Sequence, residues 1–349
     1  MVIHRHGQAI LPFSTSQALF QLLARPGRAR GDAMHFRAAL ASLAVRRSGH
    51  LRDRLDGRGR FWLNPGHTGL HLQGIGQWVR RRHVRPIHLV HDLIPVTHPQ
   101  YCRAGEDERH RRRMLTVLDT ASGVVANSAH TLDTLAEFAA AEDRTMPPVA
   151  VAWPGTPVLP SVPARPASQP TFVILGTIEG RKNHALLLSV WQKLIRASST
   201  GPAPRLVIVG RRGWQADEVF ALLDRGEFAG RVTEVGPLDD RRLASVLAGA
   251  RALLFPSFAE GYGIPLVEAL AAGVPVIASD LPVFREIGQD VPDLLPVDDA
   301  AAWCDAVSDY SQEPSSRRDA QLLRMKKFQV PDWHEHFTTV DALLDVLGR

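Results

Sequence analysis

Two glutamates, Glu260 and Glu268, lie eight positions apart around a glycine-rich loop. Between them, Gly261-Tyr262-Gly263-Ile264 follows an apolar run typical of a buried strand, and the glycines let the backbone approach a ligand. Pro265 suits the first turn of a helix, whose free N–H groups bind phosphate. Carboxylates bind sugar hydroxyls and the diol of a ribose, so the pattern predicts a sugar-nucleotide site. The alternative is a βαβ unit with two solvated glutamates.

A pair of cations forms a second candidate site. Arg181 and Lys182 follow the apolar run Phe172–Leu175 and Gly176, and they precede a helix predicted from about His184. Two positive charges beside a helix N-terminus suit a diphosphate, whereas the alternative is an ordinary surface pair. The sequence contains no Asp-x-Asp triplet, the usual carboxylate pair for a metal–nucleotide-sugar complex. We therefore expect neither a metal nor a cofactor.

Histidines in the first half of the chain are further candidates. His91 and Asp92 end the predicted parallel strand Pro86–Val90, and ligands of doubly wound sheets bind at the carboxyl ends of strands. The alternative is that His91 is a helix-capping or core residue. His67 and His71 have the spacing of a helical metal site but lack the accompanying glutamate, so we expect solvated or hydrogen-bonding side chains.

The elements that must position these residues are short apolar strands alternating with helices, which predicts an α/β fold with parallel sheets. The predicted strands are Phe61–Leu63, Pro86–Val90, Gly123–Ala126, Val149–Trp153, Phe172–Leu175, Leu206–Val209, Arg231–Val235, Ala252–Phe255 and Val274–Ser279. We divide the chain into a first domain (1–160), a proline-rich linker (161–170), a second domain (171–328) and a C-terminal helix (329–349).

Two terminal segments carry separate predictions. In the first 60 residues, Ser14 or Ser16 could cap a helix through Leu23, and the Arg-rich stretch Arg28–Gly59 has helical spacing of its apolar residues. From about Asp332, an amphipathic helix is predicted. Its apolar stripe comprises Trp333, Phe337, Val340, Leu343, Leu344 and Leu347.

Composition limits the class of protein. The 349 residues can bury two α/β cores, and no apolar run reaches the roughly 18 residues of a membrane span. The N-terminus lacks the features of a signal peptide, and Cys102 and Cys304 suggest reduced thiols in a cytoplasmic protein.

Charge is unevenly distributed. Residues 1–113 contain 20 Arg and 7 acidic residues, about +13, and since the whole chain carries +5 the remainder carries about −8. A basic first half favours contact with an anionic membrane or a lipid diphosphate, although an arginine-rich composition would look the same. No nucleic-acid-binding module is recognisable.

The stretch Pro256–Glu286 resembles the donor-binding signature of the retaining glycosyltransferases of family 4. Other family blocks follow the expected order at Val173–His184, Leu206–Gly210 and Val232–Leu238, and the stretch from His91 to Tyr101 is similar to a bacterial mannosyltransferase-like branch. The resemblance implies a GT-B fold, in which two Rossmann-like domains face each other across a cleft and the last helix crosses back to the first domain.

The resemblance also implies roles for individual residues. His91, Glu260, Lys182 and Arg181 would be catalytic, and Asp92, His67 and Ser128 would lie on the acceptor side. The donor would contact Gly176, Arg181, Lys182, Gly210, Gly236, Leu238, Glu260, Gly261, Tyr262, Gly263, Ile264 and Glu268.

The implied activity is transfer of a hexose, with mannose from GDP-mannose as the first expectation, and with retention of configuration. The acceptor would be a saccharide or a lipid-diphosphate-linked sugar in bacterial polysaccharide assembly, at the cytoplasmic face of the membrane. Family members begin with a strand and a Gly-rich loop, and this chain matches only from the second strand. A non-catalytic sugar-nucleotide-binding or scaffold subunit is therefore the alternative. A phosphorylase or epimerase is a further rival within the fold.

Overall fold

The computed structural model describes residues 58–163, 169–197 and 203–349, together with the backbone of two short strands near the N-terminus. These strands, β1 (Val2–His4) and β2 (Gly7–Ala9), pair with each other in antiparallel register. The helix predicted after Ser14 or Ser16 and nearly all of the Arg-rich stretch lie outside the described residues. The same holds for 164–168 of the predicted linker.

The N-terminal sheet follows the chain in simple order. Its strands are parallel neighbours: β3 (Phe61–Asn64), β4 (Arg85–Val90), β5 (Gly123–Ala126) and β6 (Val149–Val151). The four predicted strands are therefore present, and β6 ends two residues before the predicted Trp153. Within the part of the chain that the structure describes, the sheet has these four strands, and β1 and β2 do not join it.

Helices connect these strands as parallel crossovers require. They are α1 (Ile75–Arg82), α2 (Ile94–Thr97), α3 (Glu106–Thr120) and α4 (Ala129–Ala141), with a 3₁₀ turn at Pro99–Tyr101. Three acidic residues in the first turn of α3 suit the helix dipole, and its inner face buries Met114 and Val117. α3 therefore covers the sheet while its charged face remains in solvent.

The second domain has a doubly wound sheet of six parallel strands in the order β12-β11-β10-β7-β8-β9. The strands are β7 (Thr171–Leu175), β8 (Arg205–Val209), β9 (Val232–Glu234), β10 (Ala252–Phe255), β11 (Val276–Ser279) and β12 (Asp293–Leu295). The chain runs outward from β7 to β9 and then returns to β10 on the other side of β7. The strand order reverses between β7 and β10, where open sheets of this kind bind ligands.

Helices cover both faces of this sheet. They are α5 (His184–Ala197), α6 (Asp217–Arg225), α7 (Asp240–Ala248), α8 (Ile264–Ala271), α9 (Pro282–Gly288), α10 (Ala300–Tyr310) and α11 (Ser316–Met325). Trp191 and Trp303 are fully buried in the core of one face, and Phe255 and Phe284 are buried in the core of the other. Because both faces are covered, β10 and β11 are buried at every position, as in other parallel sheets.

The last helix, α12 (Trp333–Gly348), crosses back to the N-terminal sheet as expected. Val340 and Leu343 pack against Ile87 and Val125. The prediction that Trp333 and Phe337 belong to the buried stripe is wrong. They are 51% and 54% exposed, because the first turns of α12 lie at the domain junction, where Trp333 covers the backbone of Gly155. No helix in the described ranges is long and apolar enough to span a membrane.

Candidate functional site

Two glycines bring the ends of β7 and β8 into close contact. Gly176 follows β7 with φ of +131°, a conformation that side chains rarely allow. A Cβ atom on Gly210, after β8, would lie 1.8 Å from the carbonyl oxygen of Gly176. Only glycine fits at Gly210, so the two loops lie in contact at the carboxyl edge of the sheet.

Arg181 and Lys182 belong to a 3₁₀ turn at Gly180–Lys182 before α5. The Lys182 side chain reaches these loops, since its Cε would lie 3.5 Å from a Cβ atom on Gly176. Both cations contact Glu260. Lys182 Nζ lies 2.5 Å from Oε1, and an Arg181 guanidinium nitrogen lies 2.8 Å from Oε2. Arg181 also bonds Glu179 Oε1 at 2.8 Å and the Ala259 carbonyl oxygen at 2.6 Å. Residues 78 positions apart in sequence thus form one compact ion cluster.

Glu179 is a member of this cluster that the sequence analysis missed. Its side chain is only 5% exposed, and a buried carboxylate requires a partner. The pattern Glu-Gly-Arg-Lys contains the clue, since the acidic residue lies two positions before the arginine that it holds. Glu179 orients Arg181 toward Glu260.

Charge compensation keeps the cluster ionised although it is buried. Burial alone would raise the pKa of Glu260, but Lys182 and Arg181 outweigh this effect and hold it below its usual value. Burial lowers the pKa of Lys182, and Glu260 opposes that shift. The Lys182 ammonium also lies 4.7 Å from the ring centre of Phe255, a favourable cation–π distance. The geometry therefore presents two ordered cations and one carboxylate.

The loop after β10 leads into the N-terminus of α8 beside this cluster. Gly263 has φ of +119°, and a Cβ atom there would lie 2.8 Å from Phe284 and 3.0 Å from Ile287. No side chain caps the helix at Gly263. Free N–H groups at such a terminus bind anions. The anion site predicted at Gly261, Tyr262, Gly263 and Ile264 therefore stays a prediction with a suitable helix start.

Glu268 lies one turn further along α8, about 6 Å along the axis from Ile264. Burial, and then Asp240, raise the pKa of the Glu268 carboxyl. Glu268 borders a cavity of about 410 Å³ whose opposite wall is Thr156–Val162. Leu238 and Gly236 lie beyond β9, where Leu238 packs against the core on the same face as α8. The predicted donor residues thus occupy a continuous edge of the second sheet.

The N-terminal sheet presents His91 and Asp92 at the end of β4. His91 Nε2 lies 2.7 Å from the carbonyl oxygen of Pro65, which ties the β4 loop to the β3 loop. Asp92 Oδ1 accepts a hydrogen bond from the Ile94 N–H at 3.0 Å, which shapes the start of α2. The Asn127 side chain donates to the His91 carbonyl oxygen at 2.9 Å.

The two sheet edges meet at Gly261. A Cβ atom there would lie 2.1 Å from the carbonyl oxygen of His91, so only glycine allows the approach. Ser128 Oγ and Thr131 Oγ1 donate to the Gly261 carbonyl oxygen at 2.9 and 3.1 Å. Ser128 is completely buried in this contact between the domains, where it bonds the predicted donor loop, Glu260–Gly263.

His67 lies next to His91, with ring centres 5.4 Å apart, and 5.1 Å from His110. Burial, and then the neighbouring His110, lower the pKa of His67 to about 3, and its Nε2 is buried without a hydrogen-bond partner. His67 and His71 lie in turns before α1 and not on a helix. Among the residues described, no three His, Cys, Asp or Glu side chains converge in a metal-binding geometry.

Residues 169–313 match the family described as glycosyl transferases group 1. The serotype-specific mannosyltransferase WbdA of Escherichia coli is 29% identical over 222 residues, which are 58% of this chain and 27% of that protein. O-antigen chain mannosyltransferase B of Escherichia coli is 32% identical over 47% of this chain and 42% of its own length. Phosphatidyl-myo-inositol mannosyltransferase of Mycolicibacterium smegmatis is 33% identical over 50% of this chain and 44% of its own length. This chain thus matches less than half of each relative.

Solved structures share the architecture. Sucrose-phosphate synthase of Thermosynechococcus elongatus superposes with a TM-score of 0.61 at 18% identity, over 93% of this chain and 82% of that one. Anabaena HepE in complex with UDP-glucose has a TM-score of 0.61 at 14% identity, over 82% of this chain and 78% of that one. At such identities the likeness shows the fold. Residues 169–313 are therefore similar to the group 1 glycosyl transferases, and the chain has a GT-B fold of two facing Rossmann-like domains.

Proposed function

We propose that this protein is a retaining hexosyltransferase of family 4 that uses a nucleoside diphosphate sugar. The observation that carries the proposal is the buried cluster of Arg181, Lys182 and Glu260, which lies beside the uncapped N-terminus of α8 at the strand-order reversal of the second sheet. Cations and free N–H groups suit a diphosphate, and a carboxylate within the same cluster suits sugar hydroxyls.

The donor would extend along this edge. The diphosphate lies on the N-terminus of α8 against Arg181 and Lys182, and the ribose diol binds Glu268 one turn away. The transferred sugar faces His91 across the cleft. Glu260 exchanges its contacts with the cations for the sugar hydroxyls when the diphosphate provides new negative charge. The site residues inferred from the resemblance thus receive distinct roles.

In the reaction, the bond between the anomeric carbon and the diphosphate oxygen breaks, and the electron pair leaves with the diphosphate. The acceptor hydroxyl oxygen bonds to the same face of the anomeric carbon, and its proton passes to a phosphate oxygen of the leaving group. Arg181 and Lys182 stabilise the charge that develops on that group, which is the task often given to a metal ion. We therefore expect turnover to persist in the presence of EDTA.

Mannose, carried by GDP, is the sugar that we propose. The relatives named above are mannosyltransferases of O-antigen chains and of phosphatidyl-myo-inositol. The proposed acceptor is correspondingly a saccharide or a lipid-linked sugar in polysaccharide assembly. Arg80 and Arg81, exposed at the end of α1, add to the basic charge of the first half and favour work at the cytoplasmic face of an anionic membrane. Co-sedimentation with anionic but not neutral vesicles tests this placement.

Thermal unfolding with a panel of donors tests the site. GDP-mannose, UDP-glucose, UDP-N-acetylglucosamine and the free nucleotides are compared. Ligand at about a hundredfold over its dissociation constant should stabilise the protein by roughly 2.7 kcal/mol. Glu268→Ala should weaken binding of the active donor about 10- to 100-fold, because a hydrogen bond to a charged group contributes roughly 1.5–3 kcal/mol.

Glu218→Ala is the matched control, since Glu218 is exposed in the first turn of α6. A melting temperature that no donor changes would refute the proposed site. Donor binding without transfer to any saccharide or lipid-linked acceptor would instead favour the non-catalytic subunit.

A further inference from the structure

Glu286 of the second domain holds the N-terminus of α4 in the first domain. Its Oε1 accepts hydrogen bonds from the Ala129 N–H at 2.7 Å and from the Trp153 indole N–H at 2.8 Å. Its Oε2 accepts the His130 N–H at 3.1 Å. One carboxylate thus binds two adjacent backbone donors and a side chain across the domain boundary.

Helix α4 needs such a partner. Its first turn contains no acidic residue, so its own sequence supplies no negative charge to the helix dipole. Ser128 caps the Thr131 N–H and leaves the N–H groups of Ala129 and His130 without an intrahelical acceptor. Glu286 satisfies both groups, so they have a protein acceptor only when the domains are in contact.

The helix that carries Glu286 also supports the donor loop. Phe284 and Ile287 of α9 lie directly beneath Gly263, where a Cβ atom would come within 3.0 Å of each side chain. Gly261, in the same loop, accepts hydrogen bonds from Ser128 and Thr131 at the N-terminus of α4. The first turn of α4 therefore contacts the donor loop directly and again through α9.

We propose that Glu286 is a positioning residue that locks the domains in the closed arrangement required for sugar transfer. The inference rests on the proposed function for its kinetic consequence, but its structural part does not. When Glu286 leaves α4, the two N–H groups of Ala129 and His130 lose their acceptor, so opening carries a penalty. Closure brings His91 against the donor loop and completes the site.

Two substitutions of Glu286 grade the effect. Glu286→Ala removes all three hydrogen bonds, whereas Glu286→Gln keeps an oxygen that can accept from Ala129 and Trp153. We expect Glu286→Ala to lower kcat about 10- to 100-fold, with donor affinity in the thermal assay changed less than about threefold. We expect the kcat of Glu286→Gln to lie between that of Glu286→Ala and that of the wild type. Glu335→Ala is the control. This exposed carboxylate lines the same cavity as Glu286 and Trp153, but it forms no hydrogen bond or ion pair with α4 among the described residues.

Small-angle X-ray scattering provides a readout independent of activity. We expect the radius of gyration of Glu286→Ala to exceed that of the wild type and of Glu335→Ala, with Glu286→Gln closer to the wild type. A radius and a kcat equal to the wild type in Glu286→Ala would overturn the proposal. If Glu286→Ala does not fold, unchanged values in Glu286→Gln with an unchanged melting temperature would overturn it. If the wild type transfers no sugar, the proposed function fails while scattering still decides the role of Glu286.

Discussion

The carboxyl edges of the two sheets face each other but use different electrostatics. At the second sheet, Lys182 is buried and Arg181 is partly buried, and Glu260 lies within 2.8 Å of both cations. At the first sheet, His67 is partly buried, its Nε2 has no hydrogen-bond partner, and the imidazole is neutral because its pKa falls to about 3. One edge holds cations paired with a carboxylate, and the other holds a neutral imidazole.

This difference fits the ligands proposed for the two edges. A buried cation with a partner can exchange that partner for an anionic ligand, because the cost of removing the charge from water is already compensated. A neutral histidine side chain can form hydrogen bonds but neither attracts nor repels a diphosphate. The proposed donor and acceptor sides therefore differ in how burial and charge are combined, and the following predictions test that distinction.

The largest effect is expected for Lys182→Ala on the charged edge. Loss of one preorganised cation should raise the transfer barrier by about 2–4 kcal/mol, which lowers kcat roughly 30- to 1,000-fold. The control is Lys193→Ala, which removes an exposed lysine from α5. Near-normal turnover in Lys182→Ala would show that the stored charge does not serve the leaving group.

A smaller effect is expected where the two edges touch. Gly261→Ala places a methyl group 2.1 Å from the carbonyl oxygen of His91, so the domains must separate or the backbone must move. Such overpacking typically costs about 1–3 kcal/mol, and we expect turnover to fall while the nucleotide alone still binds.

The matched control for this contact is Gly66→Ala, in a loop where the added methyl group meets nothing within 4 Å. Enzyme kinetics and calorimetric titration of the nucleotide separate the two effects. Equal turnover in both variants would show that the contact at Gly261 is not needed during transfer.

The smallest effect is expected from acid titration of the neutral edge. His67 has a folded pKa of about 3 against 6.5 in the unfolded chain, so the unfolded state binds more protons between these values. The free energy of unfolding should therefore fall as the pH decreases below about 6.5, by about 1 kcal/mol from this residue at pH 5.5. His88 and His184, each with a pKa lowered to about 4 by burial, act in the same direction.

His67→Gln should reduce the slope of the unfolding free energy against pH by nearly the contribution of one bound proton between the two pKa values. Urea unfolding at several pH values measures the slope. The exposed His334 supplies the control substitution, His334→Gln. An unchanged slope in His67→Gln would mean that this edge does not hold its histidine neutral.

Much of the fold was predictable because local patterns agreed with it. The four-residue apolar runs Gly123–Ala126 and Ala252–Phe255 are strands with the predicted bounds, since full burial on both faces allows only apolar residues. The helix start predicted near His184 also agrees with the structure. The sequence shows Gly176, Gly210 and Gly261, but it does not show which atoms each glycine approaches closely.

Other features depended on distant packing. Trp333 and Phe337 fit the apolar period of α12, yet periodicity cannot show where the sheet beneath a helix ends. The acceptor-side role of Ser128 was implied by the family resemblance and stays a prediction, whereas the bond of its hydroxyl to Gly261 of the other domain could not be foreseen. Such contacts join residues more than 100 positions apart, and no local spacing encodes them.

By itself, the sequence determined the alternation of strands and helices, the glycines at the strand ends and the order of the charged residues along the chain. The tertiary structure alone decided that Glu260 pairs with both Arg181 and Lys182, that His67 is neutral and that Glu286 completes a helix of the other domain. The physical reason is that strand and helix patterns follow from local backbone geometry, whereas pKa and ion pairing depend on burial and on neighbours that only folding brings together.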